Sequence, residues 1–295
     1  LLHQQLACGG DASGLRLHRE RPELPEAQSQ STPSESRKLR ALAVHGAASN
    51  SNLMRFQTTM LRKALGKDIE WLFPDGPVPW APNEEGEDRG DAAVKDHFAR
   101  RSAFEERIAG DKPFRSWFEL DHEWYFRPTE ASKEAAVASM VDYIERQEPI
   151  DFVVAFQQSA SLMNVVSERF RRAKGSVPWQ MNVHFCSTPC NDEDTDQIEE
   201  PLPTPTFLVE CPATHWYEKA RAVYPRLFSS LEVLEHEDGF VFPSTPPRAT
   251  ELYAHLAEQV RRHCDPALRA EEPPAVGPPA LRDDERVRVR DTELW

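Results

Sequence analysis

The stretch Pro149-Ile150-Asp151-Phe152-Val153-Val154-Ala155-Phe156-Gln157-Gln158-Ser159-Ala160-Ser161-Leu162-Met163 reads as a buried strand, a sharp turn and the start of a helix. Phe152 to Phe156 is an unbroken apolar run of strand length, the pattern of a strand covered on both faces. Ala155 and Ser159 keep the two flanks of the turn small, and a helical pattern runs from Ser159 to Ala173. Strand, tight turn and helix in that order make the building unit of a parallel sheet.

Outward from this stretch the same alternation repeats. Leu39 to Val44 is a short apolar strand ending at His45-Gly46. Leu53, Phe56, Met60, Leu61 and Leu65 have helical spacing, so a helix is expected over Leu53 to Leu65. A second strand, Ile69 to Phe73, stops at the break Pro74-Asp75-Gly76-Pro77. Thr129 to Gln147 is an amphipathic helix with Ala136, Met140, Tyr143 and Ile144 on one face and Thr129 as N-cap. Beyond the elbow come strands at Gln180 to Cys186, Thr206 to Cys211 and Leu231 to Leu234. Helices are expected at Trp216 to Phe228 and at Arg248 to Cys264, where Leu252, Leu256 and Val260 repeat at one-turn spacing. This order demands an α/β fold: a doubly wound, mostly parallel sheet with helices on both faces. Such sheets bind ligands at the carboxyl ends of their strands.

Other segments do not join the alternation. Residues 1–38 read as a polar N-terminal extension, 39–264 as the folded domain with an insert at 81–128, and 265–295 as a Pro-rich, charged tail. The insert is acidic at first and then aromatic, with Phe114, Trp117, Phe118, Trp124, Tyr125 and Phe126. Net charge is −14, most of it in Asn83 to Asp91 and Asn191 to Glu200, which read as loops. An acidic surface argues against nucleic acid and anionic membranes as partners. No run reaches the length of a membrane span. The five cysteines, Cys8, Cys186, Cys190, Cys211 and Cys264, are an odd number in a long chain, which fits reduced thiols and a cytoplasmic location. The chain opens on Leu1 rather than methionine, so the alternative compartment is an organelle interior after loss of a targeting peptide.

Residues from about 39 to 262 resemble the family of serine hydrolases, a compact branch of the α/β-hydrolases. The likeness rests on Leu39-Arg40-Ala41-Leu42-Ala43-Val44-His45-Gly46, the helix carrying Phe56, Gln57 and Leu61 to Leu65, and the strand ending in Pro74-Asp75-Gly76-Pro77. It continues through Trp117 and Trp124-Tyr125, the elbow, Pro203 to Val209, and Val233 to Gly239. The resemblance implies a nucleophile elbow of pattern G-x-S-x-G, which falls here on Ala155 to Ser159. It also implies a Ser-Asp-His triad. The nucleophile falls on Gln157, the acid on Thr214 and the base on Phe240, so none of the three is chemically intact. The amides of Ala47 and Gln158 would form the residual oxyanion hole. With glutamine at its apex, the elbow is free to relax from the strained geometry that a nucleophile needs.

The expected protein is therefore a catalytically silent hydrolase relative, acting as a binding or structural subunit with no cofactor. Its protein partners would be met through the two extensions, and Arg286-Val287-Arg288-Val289-Arg290 could add a strand to a partner's sheet. Two alternatives stay open. One is an active carboxylesterase with its nucleophile displaced to Ser159 or Ser161. The other is an acyl or small-molecule binder using the vacated pocket, with the aromatic insert as a lid. His184, Cys186, Cys190, Cys211 and His215 also form a pattern that zinc would accept, although buried thiols serve more often as small hydrophobes.

Overall fold

The computed structural model describes residues 37–82, 100–119, 128–188 and 198–265. Six strands form one parallel sheet: β1 (Leu39–Val44), β2 (Ile69–Leu72), β5 (Phe152–Phe156), β6 (Met181–Phe185), β7 (Thr206–Glu210) and β8 (Leu231–Glu235). Their order is β2-β1-β5-β6-β7-β8. Two-residue strands β3 (Val78–Pro79) and β4 (Arg115–Ser116) pair antiparallel beside it. The helices are α1 (Ser51–Gln57), α2 (Thr59–Leu65), α3 (Ala103–Ala109), α4 (Glu130–Gln147), α5 (Gln158–Lys174), α6 (Tyr217–Leu227) and α7 (Arg248–Cys264).

The apolar runs explain this arrangement. Every residue of β5, β6 and β7 is buried, as strands covered on both faces must be. Alternation then divides β5 between two cores. Phe152, Val154 and Phe156 join Met54, Leu61, Leu256 and Val260 on one face, beneath α1, α2 and α7. Val153 and Ala155 join Met140, Ile144, Leu162 and Val166 on the other, beneath α4 and α5. Leu208 continues that second face under Val223, Tyr224 and Leu227 of α6. Thr129 caps α4 as expected, its hydroxyl accepting from the Ser132 amide at 3.3 Å.

Two local expectations are corrected. The helix over Leu53 to Leu65 is two helices, because Thr58 turns its hydroxyl back onto the Met54 carbonyl at 2.8 Å and breaks the run. The insert, in which no helix was expected at any named position, contains α3. Ser102 and Glu105 form a reciprocal capping box there. The sequence Ser102-Ala103-Phe104-Glu105 carries that signal in plain form.

The site is positioned by the strand order. From β1 the chain first moves outward to β2 and then returns across β1 to β5. That reversal leaves a crevice at the carboxyl ends of β1 and β5. His45-Gly46 follows β1 and Gln157 follows β5, so both meet at this crevice.

Candidate functional site

Gln157 links β5 directly to α5 with φ 53° and ψ −122°. The expected relaxation of the elbow has therefore not occurred: a non-glycine residue occupies a backbone region that costs of the order of 1–3 kcal/mol. Its neighbours hold it there. The Gln157 amide donates to the Phe185 carbonyl at 3.0 Å, and the Gln157 carbonyl accepts from Ala160 at 3.0 Å. Ser159, fully buried, accepts from the Phe156 amide at 2.9 Å. Its hydroxyl donates toward the carbonyls of Val44 at 2.8 Å and Phe156 at 2.9 Å. Ser159 is thus a clamp between β1, β5 and the elbow. The Ser161 hydroxyl donates to the Thr188 carbonyl.

The turn after β1 fits against the elbow because Gly46 has no side chain. A Cβ there would lie 2.5 Å from Gln157 Oε1 and 2.9 Å from Phe156 Cδ1. The Gln157 carboxamide consequently lies over Gly46, beside half-buried Ala47. His45 is fully buried. Its Nε2 accepts from the Gly76 amide at 2.9 Å, which leaves Nδ1 to donate to the Gly46 carbonyl at 2.6 Å. Burial lowers its pKa to about 4, so the ring is neutral. The His45 carbonyl accepts from Trp117 Nε1 at 2.8 Å, and Gln158 Oε1 accepts from the Trp117 amide at 3.0 Å. Trp117 and Phe118 therefore belong to the core beneath α4 and α5. Trp124, Tyr125 and Phe126 lie outside the described residues.

The loops after β7 and β8 reach the same crevice. Half-buried Phe240 sits 6.1 Å from the Phe156 ring and 6.2 Å from that of His215. Phe242 continues the stack inward, 5.0 Å from Phe156 and 4.3 Å from Phe185. Thr214 spends its hydroxyl on the Cys211 carbonyl at 3.0 Å, in the turn that leads into α6. Gln157, Phe240 and Thr214 thus lie at one end of the sheet, and none of these three side chains is an activated nucleophile, a proton shuttle or a carboxylate.

Beneath the crevice lies a buried polar cluster that sequence reasoning missed. Glu210 ends β7 fully buried, one oxygen accepting from the Ser187 amide at 2.6 Å and the other without a partner among the described residues. Burial raises its pKa to about 8, although the Ser187 amide opposes the shift, so the carboxyl is protonated at neutral pH. Ser187 Oγ lies 2.5 Å from the Tyr224 hydroxyl, which is 3.0 Å from His184 Nδ1. Burial lowers the His184 pKa to about 3. A glutamate closing the strand Thr206–Glu210 and a histidine inside the strand Met181–Phe185 were the signals available in sequence.

The thiols are distributed differently from a metal site. Cys186, at φ 45°, packs its sulfur 3.5 Å from the Val241 carbonyl and 3.9 Å from His236 Nε2. Burial first, and then Glu210 and Cys211, push its thiol pKa up. Cys211 is buried, whereas His215 is exposed against Trp216 at 4.8 Å. Cys190 lies outside the described residues. Among the described residues no group of three or more His, Cys, Asp or Glu is placed to hold a metal.

Comparison with known proteins matches this geometry to a family. The esterase FPY3 of Fusarium mangiferae is 23% identical over 242 residues, covering 75% of this chain and 96% of the esterase. The crystal structure of SOBER1 from Arabidopsis thaliana superposes with a TM-score of 0.50 at 14% identity, covering 76% of this chain and 98% of that one. Esterase PE8 gives a TM-score of 0.50 at 14% identity, covering 75% and 92%. The two structures share the α/β-hydrolase-like fold. The sequence profile described as serine hydrolase (FSH1) matches residues 34–252, most of the chain, and the protein belongs to that family.

Proposed function

We propose that this serine hydrolase family member does not hydrolyse esters and acts as a binding or structural subunit of a larger assembly. One observation carries the reading: the apex of the elbow holds Gln157, in the strained geometry that presents a nucleophile, and a primary amide is not one. Its surroundings support the same conclusion. The base position is assigned to Phe240, whose ring lies tilted between Phe156 and His215. The acid position is assigned to Thr214, whose hydroxyl is used by the Cys211 carbonyl. The buried imidazoles are poor substitutes, since His45 spends both ring nitrogens on the Gly76 amide and the Gly46 carbonyl and His236 faces the Cys186 sulfur. Residues 39–264 form the scaffold in this proposal. Residues 1–38 and 265–295, the second including Arg286 to Arg290, would meet the partner, in the cytoplasm. Those partner segments lie outside the described residues apart from Arg37, Lys38 and Asp265. Among the described residues no helix is long and apolar enough to cross a membrane.

Similarity to the Fusarium esterase favours a second reading, an esterase with a displaced nucleophile. It would use Ser159 or Ser161. Against it, Ser159 is fully buried and its hydroxyl is directed at backbone carbonyls. A ligand-binding role for the vacated pocket meets the Gln157 carboxamide, which lies over Gly46 beside the proposed oxyanion amides. The discriminating experiment combines short-chain p-nitrophenyl ester turnover with fluorophosphonate labelling of the purified chain. The silent reading expects neither, and labelling of Ser159 or Ser161 overturns it.

A further inference from the structure

A cleft of about 320 Å³ opens where the turn after β2 faces β4, lined by Asp75, Gly76, Pro77, Pro113 and Arg115. That volume is at the lower end of small-molecule sites. The cleft adjoins the His45 turn, because the Gly76 amide is the donor to His45 Nε2. It is separate from the elbow, so its binding chemistry is independent of whether the elbow is silent.

The charges in the wall are unequally satisfied. Asp75 is fully engaged: one oxygen accepts from the Ser51 amide at 2.6 Å, the other from the Ser51 hydroxyl and from Lys112 Nζ, both at 3.0 Å. Partial burial pushes its carboxyl up, but the Ser51 amide and Lys112 outweigh this and hold it below the ordinary range. Asp75 and Lys112 therefore cancel. Arg115 is different. Its backbone is pinned on both sides by Ser49, at 2.7 and 3.0 Å, and by pairing with Pro79. Its guanidinium makes one long side-chain hydrogen bond among the described residues, to the Pro77 carbonyl at 3.3 Å. Arginine carries five N–H donors in a fixed fork, so most of its donor capacity stays available in this cleft. Pro77 and Pro113 supply apolar walls, and Gly76 lets the turn pack directly on β4, since a Cβ there would lie 2.5 Å from the Ser116 carbonyl oxygen.

We propose that this cleft binds a small ligand through a planar or tetrahedral oxyanion, a carboxylate or a phosphate group, held by the Arg115 fork. The pinned backbone fixes where the side chain starts, and the Pro77 carbonyl holds its guanidinium at the cleft, which lowers part of the ordering cost of binding. The uncompensated positive charge selects for an anion.

The test titrates the full chain with inorganic phosphate and, separately, with butyrate, each against chloride at matched ionic strength, by calorimetry and thermal shift. Saturable binding of one or both anions is expected, and the stronger arm identifies phosphate or carboxylate as the natural group. Arg115→Met is expected to weaken that binding about tenfold or more, as loss of a charge-assisted fork implies. Asp75→Asn should act in the opposite direction, because it leaves Lys112 uncompensated and makes the cleft more positive. A variant that merely damages the fold cannot tighten binding, so this second substitution stands on its own. Absence of saturable binding of both anions overturns the proposal. So does equal affinity in Arg115→Met, or a failure of Asp75→Asn to tighten binding.

Discussion

Replacing Gln157 with glycine should stabilise the protein, although it deletes a side chain from the centre of the candidate site. At φ 53° and ψ −122° the backbone lies where glycine is at ease and other residues are strained. The strain relieved is of the order of 1–3 kcal/mol. Against it stands the larger conformational freedom of glycine in the unfolded chain, about 0.5–1 kcal/mol. The lost side chain is partly buried over Gly46, but its carboxamide has no hydrogen bond among the described residues, so its loss offsets only part of the relief. The balance is a gain of about 1 kcal/mol, which for a domain of this size raises the melting temperature by about 3 °C. Thermal and urea unfolding of Gln157→Gly beside the parent measure it, with an unchanged urea slope showing that the unfolded state is comparable. A melting temperature equal to or below the parent's would refute the claim that the elbow stores strain without a nucleophile to use it.

Ser159→Ala should cost about 2 kcal/mol, because it removes the acceptor of the buried Phe156 amide and the donor to Val44. Chemical denaturation measures the loss, and ester turnover should not change with it. Glu210 gives a pH signature. Its folded pKa is raised from the ordinary 4.5 to about 8. Its contribution to stability is therefore complete below about pH 4.5, declines as pH rises and is gone above about pH 8. Glu210→Gln should flatten that decline in a stability-versus-pH series, and an unaltered slope would mean that the carboxyl is ionised in the fold.

The extent to which the chain could be read in advance follows from how each feature is encoded. Strands such as Phe152 to Phe156 announce themselves, since burial on both faces requires an unbroken apolar run. The helix Arg248–Cys264 was equally plain, with Leu252, Leu256 and Val260 facing the core at one-turn spacing. The break at Thr58 was hidden because apolar spacing continues across it, while the hydroxyls of Thr58 and Thr59 turn back on the carbonyls of Met54 and Phe56. Helix α3 was masked by its charged composition, and the capping box alone marks it. At the site, residue identities at Gln157, Thr214 and Phe240 were legible, but the conformation of Gln157 was not. The preference of one residue pointed to a relaxed turn, whereas Ser159, Phe185 and Gly46 together impose the strained one. The cluster of His184, Ser187, Glu210 and Tyr224 joins two strands and a helix. No sequence spacing reveals such a tertiary contact.

Everything proposed for the elbow turns on whether this protein has a reactive serine. Fluorophosphonate labelling followed by intact-mass measurement answers that for the native chain. The triple substitution Gln157→Ser, Thr214→Asp and Phe240→His, which would restore all three proposed triad positions on an elbow already in place, serves as the comparison. A silent elbow predicts no adduct on the native chain, labelling of the triple variant at position 157, and labelling slower by several orders of magnitude when Gln157→Ser is made alone. A stoichiometric adduct on any serine of the native chain would contradict it.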